Sequence, residues 1–248
     1  MSAPRKQRGK NRNAEAAQAP AGPPSVNDIQ KANGLKFEGR NPRQKFHYRS
    51  IRQNQVTVAL GYPGTGKTYV SVVAACELFL RGEIDRIVIV RPAVAAGGEE
   101  HGFLPGDIGK KLAPWARPVI DIIGKCIGAE RLRAATAAGL IEAMPFTYMR
   151  GLTFDRAFVI LDEAQNTTPE QIRLFTQRMG EDVRVVIDGD IMQCDLKGDS
   201  GLDDLLDVLP HIEGISIGVV EYEIGDIERG PITAAFARAW EVLEDDAA

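Results

Sequence analysis

One short stretch constrains this chain more than any other, and it consists of Gly61, Tyr62, Pro63, Gly64, Thr65, Gly66, Lys67 and Thr68. It matches the pattern G-x-x-x-x-G-K-[ST], in which glycines let backbone N–H groups turn inward around phosphates. A helix that starts directly after such a loop adds its unpaired N–H groups and the positive end of its dipole. The lysine neutralises the β and γ phosphates, and the hydroxyl of Thr68 would hold Mg²⁺. The stretch therefore predicts a site for a nucleoside triphosphate with magnesium.

The residues on either side of this loop support that interpretation over a chance match. Residues 56–60 form a β-branched run of strand length directly before the loop. Residues 69–80 are apolar nearly all round, as a buried helix should be. Strand, glycine loop and helix thus occur in the order that phosphate binding requires.

Two carboxylates follow a second buried run, residues 157–161. Open α/β sheets build their sites at the carboxyl ends of the strands, where Asp162 and Glu163 would lie. An aspartate there can hold Mg²⁺ through its water shell, and a glutamate beside it can orient and deprotonate an attacking water. Two solvated carboxylates at a strand end are the alternative, which the upstream loop makes the weaker one.

A third apolar run, residues 183–187, leads to Gly189 and Gln193. The neutral amide of Gln193 can both donate and accept, so it could contact a γ-phosphate or its water. A polar turn after a strand explains the composition equally well. Between these runs, Thr168 and the residues after it predict a helix that begins with a capping box and ends at Gly180.

The order of the strand patterns predicts an α/β fold with a parallel, doubly wound sheet flanked by helices. Five strand candidates occur, at residues 56–60, 86–90, 157–161, 183–187 and 215–220. Right-handed crossovers between them would bring all the site residues to one edge of the sheet.

Composition suits one main core with an appendage. The chain has 248 residues, of which 44% are hydrophobic and 26% charged. Residues 1–56 hold twelve Lys or Arg and three Asp or Glu, whereas the whole chain carries a net charge of −4. We expect residues 1–34 to form a disordered basic arm and residues 35–248 to form the core. Such an arm often contacts nucleic acid, although a solubilising tail accounts for it equally well.

The chain has the composition of a cytosolic protein. No apolar run approaches the roughly 20 residues of a membrane span, and no apolar segment follows the basic N-terminus as in a secretory signal. The three cysteines are odd in number and widely spaced, which argues against a disulfide framework or a zinc site.

With these residues in place, the chain resembles the PhoH-like family of P-loop ATPases over about residues 41–244. The matching blocks are residues 61–68, 91–94, 102–107, 148–151, 158–171, 189–190 with Gln193 and Asp195, and 200–202. The resemblance implies a single RecA-like P-loop NTPase core, akin to one core domain of superfamily 1 helicases. Members of the family are commonly linked to phosphate starvation and RNA metabolism, and this chain is similar to the short forms that occur in bacteriophages.

The resemblance also implies roles for matching residues. Lys67 and Thr68 correspond to the nucleotide-binding lysine and the Mg²⁺ ligand. Asp162 corresponds to the metal-holding acid, Glu163 to the catalytic base and Gln193 to the γ-phosphate sensor.

The expected nucleotide is ATP. Residues 41–44 are similar to the glutamine motif of helicases, in which the amide of a glutamine, here Gln44, pairs with the edge of adenine. The Asn-Lys-x-Asp motif of a GTPase-type guanine site does not occur in the sequence.

This chain differs from the helicases that it resembles in where the arginine that completes the site comes from. Those helicases have two core domains, and an arginine of one completes the site of the other, whereas 248 residues hold only one core. The arginine would then come from another subunit or from elsewhere in the same chain, and a closed head-to-tail assembly would be a ring such as a hexamer. Arg229 aligns with a common family arginine. Arg91 and Arg150 are rivals, and each could equally be an ordinary surface arginine.

The glycine-rich residues 93–107 are long for a connection, and long connections are usually functional or mobile. With Lys110, Lys111 and Arg117 beyond them, they could grip a nucleic-acid backbone through charge and shape. Phe103 and Trp115 could stack on bases, but packing is the commoner fate of aromatic side chains.

Three functions compete. The leading hypothesis is an oligomeric ATPase that couples Mg-ATP hydrolysis to translocation along, or remodelling of, single-stranded RNA or DNA, with RNA preferred. A non-catalytic, ATP-gated binding or scaffold protein is the second. A small-molecule phosphotransferase is the third, and it would need an arginine-rich lid that the sequence does not show.

Overall fold

A computed structural model describes residues 35–92, 116–190, 194–196 and 198–229, together with residues 232, 235, 236 and 239. These residues contain a six-stranded sheet in which every neighbouring pair is parallel. The strands are β1 (Val56–Gly61), β2 (Arg86–Arg91), β3 (Ile141–Pro145), β4 (Ala157–Leu161), β5 (Arg184–Gly189) and β6 (Ile217–Tyr222). Their order across the sheet is β3-β2-β4-β5-β1-β6.

Six α-helices are described. They are α1 (Pro42–Gln53), α2 (Lys67–Leu80), α3 (Arg117–Ile127), α4 (Ala129–Ala137), α5 (Pro169–Thr176) and α6 (Gly201–Val208). Short 3-10 turns lie at Phe146–Tyr148, Ala164–Asn166, Leu209–His211 and Ile224–Asp226. Within the described ranges, none of the helices combines the length and the apolar character that crossing a bilayer requires.

The sheet is covered by helices on both faces. Successive residues of a strand point to opposite faces, so Ile87 and Ile89 of β2 join one buried cluster while Val88 and Val90 join another. The first cluster contains apolar residues of α1, α2, α3 and α4, and the second contains those of α5 and α6. The predicted parallel, doubly wound α/β sheet is therefore confirmed.

The edge strand β3 was not predicted from the sequence. It pairs with β2 alone, and only Ile141 and Met144 of its five residues are buried. Its residues therefore lack the continuous apolar run that identifies the central strands.

Helix α5 starts as predicted but ends at Thr176 rather than at Gly180. Thr168 caps its first turn with a complete capping box. At the other end, the backbone turns away to pair with Phe154, whose N–H donates to the Arg178 carbonyl and whose carbonyl accepts from the Gly180 N–H, both at 2.8 Å. The pairing with Phe154 is long-range, so the local pattern could not reveal it.

The last strand, β6, begins at Ile217, two residues after its predicted start at residue 215. The preceding carbonyl, that of Ser216, accepts hydrogen bonds from the N–H groups of Gln55 and Val56 at 3.0 and 3.1 Å. These bonds fix the register in which Val56 pairs with Ile217.

Several predictions fall on residues outside the described ranges and stay predictions. They concern the basic arm (residues 1–34), the stretch at residues 93–107, and Phe103, Lys110, Lys111 and Trp115.

Candidate nucleotide-binding site

The carboxyl ends of β1, β4 and β5 lie side by side, because β5 pairs with both of the other strands. A cavity of about 330 Å³ opens at this edge and brings together residues from distant parts of the chain. Its lining consists of Pro63, Gly64, Gly66, Lys67, Thr68, Tyr69, Asp162, Glu163, Asp188, Gly189, Asp190 and Arg229. Most of the residues that the sequence singled out for nucleotide and metal binding thus share one cavity.

The loop between β1 and α2 has the backbone that phosphate binding needs. Gly61, Gly64 and Gly66 have φ values of 129°, 85° and 89°, a region that side chains with a Cβ rarely adopt. Gly66 is the residue before the first turn of α2, so the free N–H groups of that turn face the loop. Unpaired backbone N–H groups at a helix N-terminus are donors that a phosphate group can accept from, so the loop fits a phosphate.

A Gly61→Ala substitution should destabilise the protein by about 1–3 kcal/mol. An added Cβ would lie 2.3 Å from the Tyr222 carbonyl oxygen, on a backbone already at positive φ. Gly225→Ala is the matched control, because a Cβ there meets nothing within 4 Å. Urea unfolding of both variants measures the difference, and equal midpoints would contradict this account of Gly61.

Lys67 is folded back onto its own loop. Its ammonium donates to the Gly61 carbonyl and, at 2.9 Å, to the Tyr62 carbonyl. Burial lowers the pKa of Lys67, while nearby acidic residues, Asp188 first among them, raise it when they are ionised. To contact a triphosphate, the ammonium would exchange these two carbonyls for phosphate oxygens.

Thr68 and Asp162 form the oxygen pair that magnesium would need. The Thr68 hydroxyl donates to Asp162 Oδ1 at 2.9 Å, and Asp162 is 5% exposed. Burial raises the pKa of Asp162, although the guanidinium of Arg91 opposes that shift. A hydroxyl and a carboxylate are hard oxygen donors of the kind that Mg²⁺ prefers, so these residues fit the metal.

Glu163 lies on the wall of the cavity with both carboxylate oxygens engaged. Arg91 donates to Oε1 at 3.0 Å, and the Gln165 amide donates to Oε2 at 2.7 Å. The side-chain amide oxygen of Gln165 in turn accepts from the backbone N–H of Asp190 at 3.0 Å. Gln165 was not predicted as a site residue, because a glutamine two positions after a glutamate does not by itself indicate a role.

Asp188 is a second site residue that was not predicted from the sequence. It is 1% exposed at the end of β5, where Oδ1 accepts from the Ser71 hydroxyl at 3.1 Å. Its other oxygen, Oδ2, has no hydrogen-bond partner among the described residues. Burial raises the pKa of Asp188 to about 8, the nearby Asp162 adds to the rise, and Lys67 opposes it. An acidic residue at the end of an apolar strand was the available signal.

The titration of Asp188 predicts a pH-dependent stability. The folded protein keeps this carboxyl protonated up to about pH 8, whereas the unfolded chain releases the proton near its ordinary pKa of 3.8. The folded state therefore binds more protons in this interval, and the group's contribution to stability falls as the pH rises. In Asp188→Asn we expect this fall to shrink by at least about 1.4 kcal/mol, the equivalent of one pKa unit. Urea unfolding across the interval tests this, and parallel curves for the two proteins would contradict it.

Gln44 lies behind the phosphate loop and is 1% exposed. Its amide nitrogen donates to the Thr65 carbonyl at 2.9 Å, and its amide oxygen accepts from the Arg40 N–H at 3.0 Å. Asn41 caps the same turn by accepting from the Gln44 N–H at 2.8 Å. In this conformation the side chain supports the loop, and its pairing with adenine stays a prediction.

Arg229 lies over the phosphate loop of its own chain. A Cβ added at Gly64 would be 2.9 Å from Arg229 Cγ and Nε, and the Glu228 N–H donates to the Gly64 carbonyl at 3.0 Å. Asn41 donates to the Asp226 carbonyl at 3.2 Å and to the Glu228 carboxylate at 3.0 Å, which fastens the segment to the start of α1.

The other predicted residues are placed differently. Arg91 pairs with the acidic residues at the end of β4, whereas Arg150 is exposed and is not part of the cavity lining. Gln193 lies outside the described residues, so its contact with a γ-phosphate stays a prediction.

Known proteins resemble this chain over most of its length. A profile of the family described as PhoH-like protein matches residues 36–241. The PhoH-like protein of Bacillus subtilis (strain 168) is 40% identical over 212 residues, which cover 85% of this chain and 66% of that protein. Protein PhoH of Escherichia coli (strain K12) is 41% identical over 197 residues, which cover 78% of this chain and 55% of that protein. The chain thus spans between about half and two thirds of the length of these relatives.

A solved structure is similar at a lower level. The Sulfolobus solfataricus SWI2/SNF2 ATPase core in complex with dsDNA aligns with a TM-score of 0.43 and 13% sequence identity, over 72% of this chain and 36% of that chain.

Proposed function

Since this chain belongs to the PhoH-like protein family, we propose that it hydrolyses Mg-ATP and couples hydrolysis to movement along, or remodelling of, single-stranded nucleic acid, with RNA as the preferred strand. The proposal rests on the observation that the phosphate-binding loop (residues 61–68), Asp162 and Glu163 line the same cavity. A loop alone would support binding, and the glutamate supplies the group that hydrolysis needs.

The loop residues would bind the nucleotide. The backbone N–H groups at the start of α2 and the ammonium of Lys67 provide the positive charge that a triphosphate requires. The Thr68 hydroxyl and Asp162 would hold Mg²⁺, which when bound neutralises phosphate charge. Gln44 supports the Thr65 carbonyl and would read the adenine if its amide turned toward the base.

Glu163 would orient the attacking water and accept its proton. Gln193 would contact the γ-phosphate. Arg229 already lies on Gly64, so we propose that it stabilises transition-state charge within its own chain rather than in a neighbour's site.

The nucleic-acid partner is supported by charge and by the family resemblance. Residues 1–56 hold twelve Lys or Arg against three Asp or Glu, which suits a phosphate backbone rather than a particular base sequence. We expect single-stranded RNA to increase ATP turnover more than single-stranded DNA, and the increase to weaken as salt rises because counterions compete. Phosphate release with polyuridylate, polydeoxythymidylate and duplex RNA tests this, and equal rates with and without every strand would contradict it.

We also propose that the protein acts as a homo-oligomer, with a closed ring as the assembly. Ile232 and Phe236 are 73% and 63% exposed, and a contact with another subunit would cover them. Light scattering of the eluting protein with and without Mg-ATP tests the assembly, and a monomeric mass under both conditions would contradict it.

A further inference from the structure

The guanidinium of Arg91 contacts both acidic residues that follow β4. Arg91 Nη2 lies 3.0 Å from Glu163 Oε1, and Nη1 lies 3.6 Å from Asp162 Oδ2. The contact follows from the sheet, because β2 and β4 are neighbours and the Asp162 N–H donates to the Val90 carbonyl at 2.9 Å. The side chain that ends β2 is therefore next to the predicted catalytic base.

This arrangement restricts what Glu163 can do. A general base must face the attacking water, but here Arg91 donates to one carboxylate oxygen and Gln165 to the other, and together they fix the direction in which the carboxylate faces. Each oxygen can accept a second hydrogen bond, so water still reaches Glu163, but the carboxylate can turn toward an attacking water only if the charge-assisted bond to Arg91 breaks.

The two partners of Glu163 are not equally easy to displace. Gln165 is 2% exposed and is fixed by the Asp190 N–H, so it is a constant part of the site. The Arg91 side chain is 28% exposed, so solvent and ions reach it. A guanidinium binds a phosphate in the same forked geometry as a carboxylate, so a phosphodiester at this edge of the sheet would compete with Glu163 for Arg91.

We propose that Arg91 is a positioning residue that restrains Glu163 until a phosphate of single-stranded nucleic acid takes up its guanidinium. Release of Arg91 then leaves the Glu163 carboxylate free to turn toward the attacking water. The inference rests on the proposed ATPase function and assigns to one residue the coupling between nucleic acid and hydrolysis. In this role Arg91 acts on Glu163 and does not contact the transferred phosphoryl group.

The test measures steady-state phosphate release with and without polyuridylate in Arg91→Ala and Arg91→Gln. Both variants should show a basal turnover close to the polyuridylate-stimulated rate of the wild type, and polyuridylate should add little to it. Arg173→Ala is the matched control, because Arg173 on α5 makes an exposed ion pair with Asp204 on α6 at 3.4 Å. This variant should behave like the wild type. Urea unfolding verifies that each variant is folded.

A second measurement asks whether Arg91 acts through Glu163. Arg91→Ala should raise basal turnover in the wild-type background but not in a Glu163→Gln background, which a merely structural role of Arg91 would not produce. An equal loss of kcat with and without polyuridylate, at unchanged KM, would instead place Arg91 on the reacting phosphate and overturn the inference. An unchanged stimulation ratio in both variants would also overturn it. ATP binding without phosphate release by the wild type would refute the proposed function itself.

Discussion

Glu163→Gln is expected to bind Mg-ATP as the wild type does and to hydrolyse it about 100 to 10,000 times more slowly, the range attributed to a general base. The two side chains have nearly the same shape, so the cavity wall is preserved, but a neutral amide cannot take the proton of the attacking water. The amide oxygen can still accept from one of the two present donors, Arg91 or Gln165. The loss should therefore fall on turnover and not on nucleotide affinity.

The control for Glu163→Gln is Glu170→Gln, which makes the same chemical change at an exposed position in the first turn of α5. Phosphate release and equilibrium binding of a fluorescent ATP analogue are measured on all three proteins. Unchanged phosphate release in Glu163→Gln would remove Glu163 from the role of catalytic base.

Lys67→Ala is expected to lose both nucleotide affinity and turnover, with turnover reduced about 100- to 1,000-fold, as when one preorganised charge-stabilising donor is removed. Lys67 is the cation that places a positive charge within the loop, and the ionised acidic residues that act on it include Glu163 and Asp162. Without the ammonium, only the backbone N–H groups would offset the negative charge that these residues and a triphosphate bring together.

The same substitution at an exposed lysine separates the site effect from a general effect of charge. Lys125→Ala in α3 removes one positive charge at an exposed position and should leave binding and turnover unchanged. Equal nucleotide affinity of Lys67→Ala and Lys125→Ala would show that the loop binds without its lysine, which this account excludes.

Local sequence patterns sufficed for the parts of the site that lie within one segment. The glycines of the loop at residues 61–68 indicate its backbone conformation, because glycine is favoured where φ is positive. Asp162 and Glu163 follow an apolar run of strand length, and parallel strands bring their carboxyl ends to one edge. Such features are recognisable without knowledge of any tertiary contact.

The remaining features depend on contacts between segments far apart in the chain. Gln165 becomes a site residue only because its side-chain amide accepts a hydrogen bond from Asp190 and donates one to Glu163. Arg229 lies on Gly64 because the end of β6 packs beside the loop, and no local pattern reports that packing. Asp188 acquires its raised pKa from burial, which depends on the helices that cover the sheet.

Hydrolysis of Mg-ATP at Glu163 is tested most directly by steady-state phosphate release from the wild type and from Glu163→Gln, with both proteins saturated with nucleotide. We expect sustained release by the wild type, faster release with single-stranded RNA, and almost none by the variant despite equal binding. Saturable binding to both proteins with no phosphate release from either, with or without RNA, would contradict this expectation and would favour an ATP-gated binding protein.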